Sequence, residues 1–467
     1  MKEPSAHTES LMLQGPVWNR ILLFALPVAA TGMLEQLFNA SDIATFGSFA
    51  RTGRTEAVAA VGTNSPIVGL LVNFFVGLAL GANVIIAQAV GQQKPKTIEQ
   101  AVQTSLLLAL ICGLASTILG ELVISQVLSL MNIPADVFPH ALDYMRIYLI
   151  GMPAILLYNF EASVFRSIGL TKIPLAALAV SGIINVLLNL FFVIVVHISV
   201  AGVAIATVIS NIISSLILFV ILLKTSSPVR LSMHRLRISR SIAGRILRIG
   251  IPAGLQSSVF AIANIIVQTA INSLGTVVMA ASSAAFNVEI FCYYVLNSFT
   301  QACTTFVSQN YGAGQFERCR RILGISIAEG ILATVLSMLL VLSCGRSLLA
   351  IFNSNPDVIE NGYWRLMIVF AGYVFSVLYE SFSGYLRGFG ISLVPALLTI
   401  LGVCGLRLVW VFAVFPSHPS FPFLMLCFPI SLCLTSLLMA GAVLWYRPAA
   451  REEAARRQGM KAAGTEA

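Results

Sequence analysis

Asp42 lies in the run LPVAATGMLEQLFNASDIATFG, Leu26 to Gly47, where apolar residues dominate. An ionisable side chain in such a run costs at least about 2.5–3.5 kcal/mol to insert in a membrane, so it calls for a partner and a task. A carboxyl in that setting can take a proton at one membrane face and release it at the other. The bland alternative is an acid at a helix end, bathed by an outer vestibule. Glu35 precedes Asp42 by seven residues, two helical turns, which places both carboxyls and Asn39 on one helix face. Glu35 is then either a second proton carrier or a partner for a polar residue on another helix. Asn185 and Asn189 stand four apart and also share a face. Their amide oxygens suit a hard cation such as sodium, and equally suit interhelical hydrogen bonds. Glu289 is the only charge between Arg248 and Glu317. It can attract a cationic ligand, or it can close a buried salt bridge with Arg407, itself isolated in an apolar run. Glu161 and Glu380 come shortly before Arg166 and Arg387, and neutralising those arginines is their simplest role.

The elements that must position these groups follow from composition. Of 467 residues, 58% are hydrophobic and only 10% charged, with a mean hydropathy of +0.90. Soluble domains carry about 25% charged residues. Ile173 to Leu223 contains no Asp, Glu, Lys or Arg at all. A helical crossing needs roughly 20 apolar residues, so runs this long fold into consecutive spans. Stretches such as AVQTSLLLALICGLASTILG are apolar all round, which excludes the alternation of a membrane β-barrel. The fold class is all-α, a polytopic membrane protein. The eight cysteines are scattered with no CxxC pair, so neither a disulfide framework nor a metal site is expected.

Charges, glycines and prolines divide the chain into about twelve spans. Their cores are expected at 21–45, 60–84, 101–121, 141–161, 174–196 and 201–223, then at 249–273, 279–305, 322–343, 363–384, 393–415 and 424–446. Arg20 and the apolar run after it look like a signal peptide. RILRIGIPAG, Arg245 to Gly254, resembles that run deep in the chain, so residues from 21 onward are read as the first span. With the N-terminus in the cytoplasm, all but six of the 28 Lys and Arg residues fall on the inner side. The six are Arg51, Arg54, Arg146, Arg346, Arg365 and Arg407, of which Arg407 reads as the only deep one. The expected organisation is an N-terminal segment 1–20, a six-helix bundle 21–223, a basic linker 224–248, a second bundle 249–446 and a tail 447–467. Both termini face inward, in a plasma (inner) membrane. The +9 net charge is then a topology signal and a contact with membrane lipids, with no call for nucleic acid.

The two halves repeat each other. FRSIGLTKIP, Phe165 to Pro174, returns as LRGFGISLVP, Leu386 to Pro395, with Arg, Gly and Pro each 221 residues apart. AQAVGQQKP, Ala87 to Pro95, returns as SQNYGAGQF, and Leu26-Pro27 as Ile251-Pro252. MNIPADV, Met131 to Val137, matches FNSNPDV, Phe352 to Val358. Each half holds an even number of spans, so the repeat is parallel, about an axis normal to the membrane.

These landmarks resemble the multidrug and toxic compound extrusion (MATE) transporters, within the wider multidrug, oligosaccharidyl-lipid and polysaccharide exporter superfamily. The resemblance rests on the Pro, Gln-rich turn and Asn-x-x-Asp of span one, the Gln-x-x-Gly after span two, the Arg-x-x-Gly after span four, and AGVAIAT, Ala201 to Thr207. It covers roughly residues 15 to 445. It implies twelve helices in two bundles and alternating-access antiport of H+ or Na+ against amphiphilic, often cationic, small molecules. It also implies a coupling site at Asp42, Asn185, Asn189 and Thr207. Many relatives carry Asp where this chain has Asn189, which leaves proton or sodium coupling open. An acid about where Glu289 stands occurs in some members and suggests a contact for cationic substrates. Acids in helix ten of some members sit a turn earlier than Glu380, at Ser376 here.

No cofactor is expected, nor any metal other than sodium at the coupling residues, and a monomer is expected. The alternatives are a lipid-linked saccharide flippase, which would line its cavity with several arginines, and an intramembrane enzyme. Neither HExxH, GxSxG nor a GxxxxGK[ST] loop occurs, which argues against an enzyme and against ATP hydrolysis by this chain. A channel suits a repeated fold with isolated acids less well.

Overall fold

A computed structural model describes residues 12–49, 54–131, 133–198, 200–233 and 236–462. Among them there is no strand, and the helices run in order α1 Val17–Phe49, α2 Arg54–Gly91, α3 Pro95–Leu130, α4 Phe138–Ile150, α5 Met152–Ser167, α6 Lys172–Leu190 and α7 Val200–Lys224. There follow α8 Arg240–Asn272, α9 Thr276–Gly312, α10 Phe316–Phe352, α11 Pro356–Gly388, α12 Leu393–Thr399, α13 Leu406–Val409, α14 Phe421–Met425, α15 Cys427–Tyr446 and α16 Pro448–Ala462. Among the described residues, eleven spans are long and apolar enough to cross a membrane, and α4 with α5, taken as one bent span, makes a twelfth. In lipid the backbone must satisfy itself, which is why helices prevail and why Pro27 and Pro252 are tolerated inside α1 and α8.

Residues on the face of α3 at Ile111, Leu114, Ile118 and Leu122 are exposed, at helical spacing. In water such a stripe would be a liability; against acyl chains it is the expected surface.

Two expected spans differ from simple helices. Span four is broken by a 49° bend between α4 and α5, at Gly151-Met152-Pro153, because proline cannot join the preceding hydrogen-bond ladder. Span eleven is composite: α12 leads into a wide π-helical stretch Ile400–Gly405, then α13, a second such stretch Trp410–Val414, and a 3-10 turn Phe415–Ser417. The basic linker is shorter than expected, since α7 ends at Lys224 and α8 already begins at Arg240. His234 and Arg235 of that linker, residues 1–11 and 463–467, and Arg51 lie outside the described residues.

The chain divides into two compact units. One comprises Ala30–Ile86 and Lys94–Gly250; the other holds the described residues up to Ala29, Ala87–Gln93, and the chain from Ile251 onward. In the first, α3 packs on α5, and α7 packs on α4, α5 and α6. In the second, α9 packs on α10 and α11, and α11 on α15.

The repeated loops have a backbone cause. Gly169 (φ 82°) and Gly390 (φ 84°) occupy the left-handed region just after α5 and α11. Leu170 N donates to Phe165 O at 3.0 Å and Gly169 N to Arg166 O at 2.9 Å. Ile391 N and Gly390 N repeat this on Leu386 O and Arg387 O, at 3.0 and 2.8 Å. Both are Schellman caps, where glycine avoids the Cβ penalty. The other repeated glycines serve close packing within the second unit: a Cβ on Gly91 would strike the Gln309 carbonyl, and one on Gly312 the Gln88 carbonyl.

Candidate functional site

In the first unit, α1, α6 and α7 converge on one carboxylate. Asp42 is only 8% exposed. Asn189 Nδ2 donates to Asp42 Oδ1 at 2.5 Å and to Asn185 Oδ1 at 3.1 Å. Thr207 Oγ1 reaches Asp42 Oδ2 at 3.5 Å, but its shorter bond, 2.9 Å, goes to Val203 O on its own helix. The i, i+4 spacing of the two asparagines aligns them, and the wide turn Phe191–Val195 follows directly. Asn189 is fully buried, and its Oδ1 has no hydrogen-bond partner. Tyr144 and Tyr148 of α4 stack with centroids 6.2 Å apart and lie within electrostatic reach of Asp42. The arrangement can hold a proton on the carboxyl or offer oxygens to a small hard cation.

The structure thus brings together Asp42, Asn185, Asn189 and Thr207. Glu35 stands apart: it is half-buried, makes no hydrogen bond to that cluster, and has Arg166 as the cation acting on it. Glu161 is fully buried on α5 and accepts from Ser215 Oγ at 3.0 Å, while its Oε1 has no partner. The expected pairing of Glu161 with Arg166 is not made. Glu380 accepts from Tyr379 at 3.1 Å and feels Arg387 electrostatically.

The second unit holds another polar cluster. Glu289 of α9, 7% exposed, accepts from Arg365 Nη2 at 3.0 Å and from Tyr373 Oη at 2.9 Å. Arg365 of α11, 4% exposed, also donates to Ser282. The salt bridge expected between Glu289 and Arg407 is therefore made by Arg365 instead, because α9 and α11 pack directly. Arg407 of α13, 2% exposed, donates through Nη1 to Asn264 Oδ1 of α8 at 2.8 Å and through Nε to Ser431 Oγ of α15 at 3.3 Å. Its Cζ lies 4.2 Å from the Phe428 ring centroid and 5.2 Å from that of Phe260. Arg387 is buried too and donates to Gln256 Oε1 at 2.6 Å. Arg407 is thus not the only buried arginine: Arg365 and Arg387, toward the two ends of α11, are buried by helix packing as well.

Sequence reasoning passed over Glu329, an isolated acid in the apolar run ISIAEGILATVL of α10. Neither of its carboxylate oxygens has a hydrogen-bond partner. The signal was the one used for Asp42 and Glu289, an acid alone in a span.

A helical membrane fold with paired bundles of spans and a buried acid on its first helix defines a transporter-like membrane protein. A family model described as MatE matches residues 27–191 and 252–412, one match in each half of the chain. The chain belongs to the MatE family of transporters. It is similar to the probable multidrug resistance protein YoeA of Bacillus subtilis, 25% identical over 398 residues, covering 84% of this chain and 85% of that one. It is also similar to the probable multidrug resistance protein NorM of Thermotoga maritima, 24% identical, covering 83% of each. Among solved structures, a MOP superfamily transporter from Pyrococcus furiosus, described as having a binding pocket of reverse polarity, superposes with a TM-score of 0.87 at 20% identity, over 97% of this chain and 99% of that one.

Proposed function

We propose that the protein is a secondary active exporter of amphiphilic compounds, driven by inward movement of H+ or Na+ through the Asp42 cluster by alternating access. One observation carries this reading: a buried carboxylate held at 2.5 Å by an amide from another helix, with no arginine or lysine among the described residues bonded to it. A buried charge without a fixed counter-ion invites a mobile one. A proton would neutralise Asp42 directly. A sodium ion would draw on Asp42, Asn185 Oδ1, Thr207 Oγ1 and the otherwise partnerless Asn189 Oδ1. The names of YoeA and NorM support multidrug export as the class of transport, and the excess of Lys and Arg in the inner segments supports a cytoplasmic position for both termini. Glu289, as an attractor of cationic substrates, has to be freed from Arg365 first. The flippase alternative gains from the three buried arginines of the second unit.

The test is transport in proteoliposomes under an imposed pH gradient or sodium gradient, with wild type and Asp42→Asn. Wild type is expected to respond to one gradient and the variant to neither. A variant that exchanges as fast as wild type under the same gradient overturns the coupling site.

A further inference from the structure

The two polar clusters occupy related places in the repeat. Asp42 and Asn264 are 222 residues apart, and so are Asn185 and Arg407, close to the 221 of the repeated loops. Both clusters join the first and fifth spans of their half to the sixth, through Thr207 in one case and Ser431 in the other. The second cluster therefore lies on the matching spans with the opposite charge: Asp42 is the ionised group of the first, bonded by Asn189, and Arg407 that of the second, bonded to Asn264.

Among the described residues, that guanidinium has no carboxylate partner. Of its five N–H donors, the hydrogen bonds account for two, both to neutral oxygens. Phe428 lies 5.8 Å from the Arg365 Cζ as well as 4.2 Å from that of Arg407, so two cations share one region with a single bonded acid, Glu289. The other acids nearby are accounted for. Glu380 takes its hydrogen bond from Tyr379 and its electrostatic partner is Arg387; Glu329 lies on α10 with no cation acting on it. Arg407 acts electrostatically on Tyr379, Cys404 and Cys427, and among the described residues it forms no ion pair. Arg407 also sits between two π-helical stretches, a distortion frequent at functional sites. A buried charge demands an opposite one, and guanidinium geometry matches carboxylate and phosphate.

We propose that Arg407, Asn264 and Ser431 form an anion-recognition site in the second unit, which takes the carboxylate or phosphate group of an amphiphile whose apolar body packs on Phe260 and Phe428. In naming substrate chemistry this rests on the export reading above; anion binding itself does not.

The full-length protein in phosphatidylcholine nanodiscs would be titrated with three naphthalene probes of one scaffold, bearing a carboxylate, a phosphate or a trimethylammonium group. Wild type is expected to prefer the anionic probes. Asn264→Asp places an internal carboxylate against Arg407, as Asp42 stands in the other half, and should weaken binding of the anionic probes about tenfold or more. Thermal unfolding checks that this variant is folded; if it is not, Arg407→Gln is expected to lose the same preference and decides the matter. Adding phosphatidylglycerol separates the sources. A lipid occupant would compete with the carboxylate probe and be retained by wild type, not by Asn264→Asp, in native mass spectrometry; a soluble occupant would leave the probe bound. Equal binding of all three probes by wild type, or undiminished anion binding in both variants, overturns the proposal. Asp42→Asn that stops transport of every probe but still binds the carboxylate would leave it standing. An Asp42→Asn variant still driven by either gradient would sink the export coupling alone.

Discussion

The Asp42 cluster and the Arg407 cluster are built from equivalent spans of one repeat, yet one centres on an unpaired acid and the other on an unpaired base. Duplicating a fold duplicates backbone geometry, caps and close helix crossings, as the paired Schellman glycines show. It does not oblige the side chains at a shared place to keep their charge. The place itself, where a widened helix meets two neighbours, is what persists. Between them, Glu289 and Arg365 show the opposite solution, a buried pair that satisfies itself. The difference teaches which charges are available to a mobile partner: Asp42 and Arg407 are, whereas Glu289 is already engaged.

Removing the acid is the most severe way to break this contrast. Asp42→Asn keeps size and hydrogen bonding but not charge, and gradient-driven exchange is expected to fall to background while the protein stays folded. Next in size is the self-satisfied pair. Glu289→Gln or Arg365→Gln leaves the other charge buried alone, at about 3–5 kcal/mol, and the double variant should recover much of that loss. Thermal unfolding of the two singles and the double checks this; additive losses would mean that the pair is not closed. Gly91→Leu should cost about 1–3 kcal/mol by overpacking against the Gln309 carbonyl, with a lowered unfolding temperature. Thr207→Val is the mildest. Its hydroxyl already serves Val203, so stability should drop by only about 0.6 kcal/mol, and a shift in the coupling ion's half-saturation would be the finer readout of any contact with Asp42.

Much of the first cluster was legible because its signals are local. An acid alone in an apolar run announces itself, and two asparagines four apart must share a face. The same rule finds Glu329, and the repeat period places Arg407 within one residue of the position that matches Asn185. What could not be read was pairing. Glu289 had two arginines in reach by composition, and only the packing of α9 on α11 selects Arg365 over Arg407. Glu35 shares the helical phase of Asp42, but Arg166 acts on it where the cluster does not.

By itself the sequence determined the solvent, the number of spans, the repeat and the family, because hydropathy, punctuation by Gly and Pro, and period are properties of the chain in one dimension. Tertiary structure alone decided which charges meet. It bent span four at Gly151, widened span eleven around Arg407, buried Arg365 and Arg387, and left Arg407 facing an amide. The physical reason is range: a helix sets its own hydrogen bonds within four residues, whereas a buried ion is neutralised only by whatever another helix, more than seventy residues away, brings beside it.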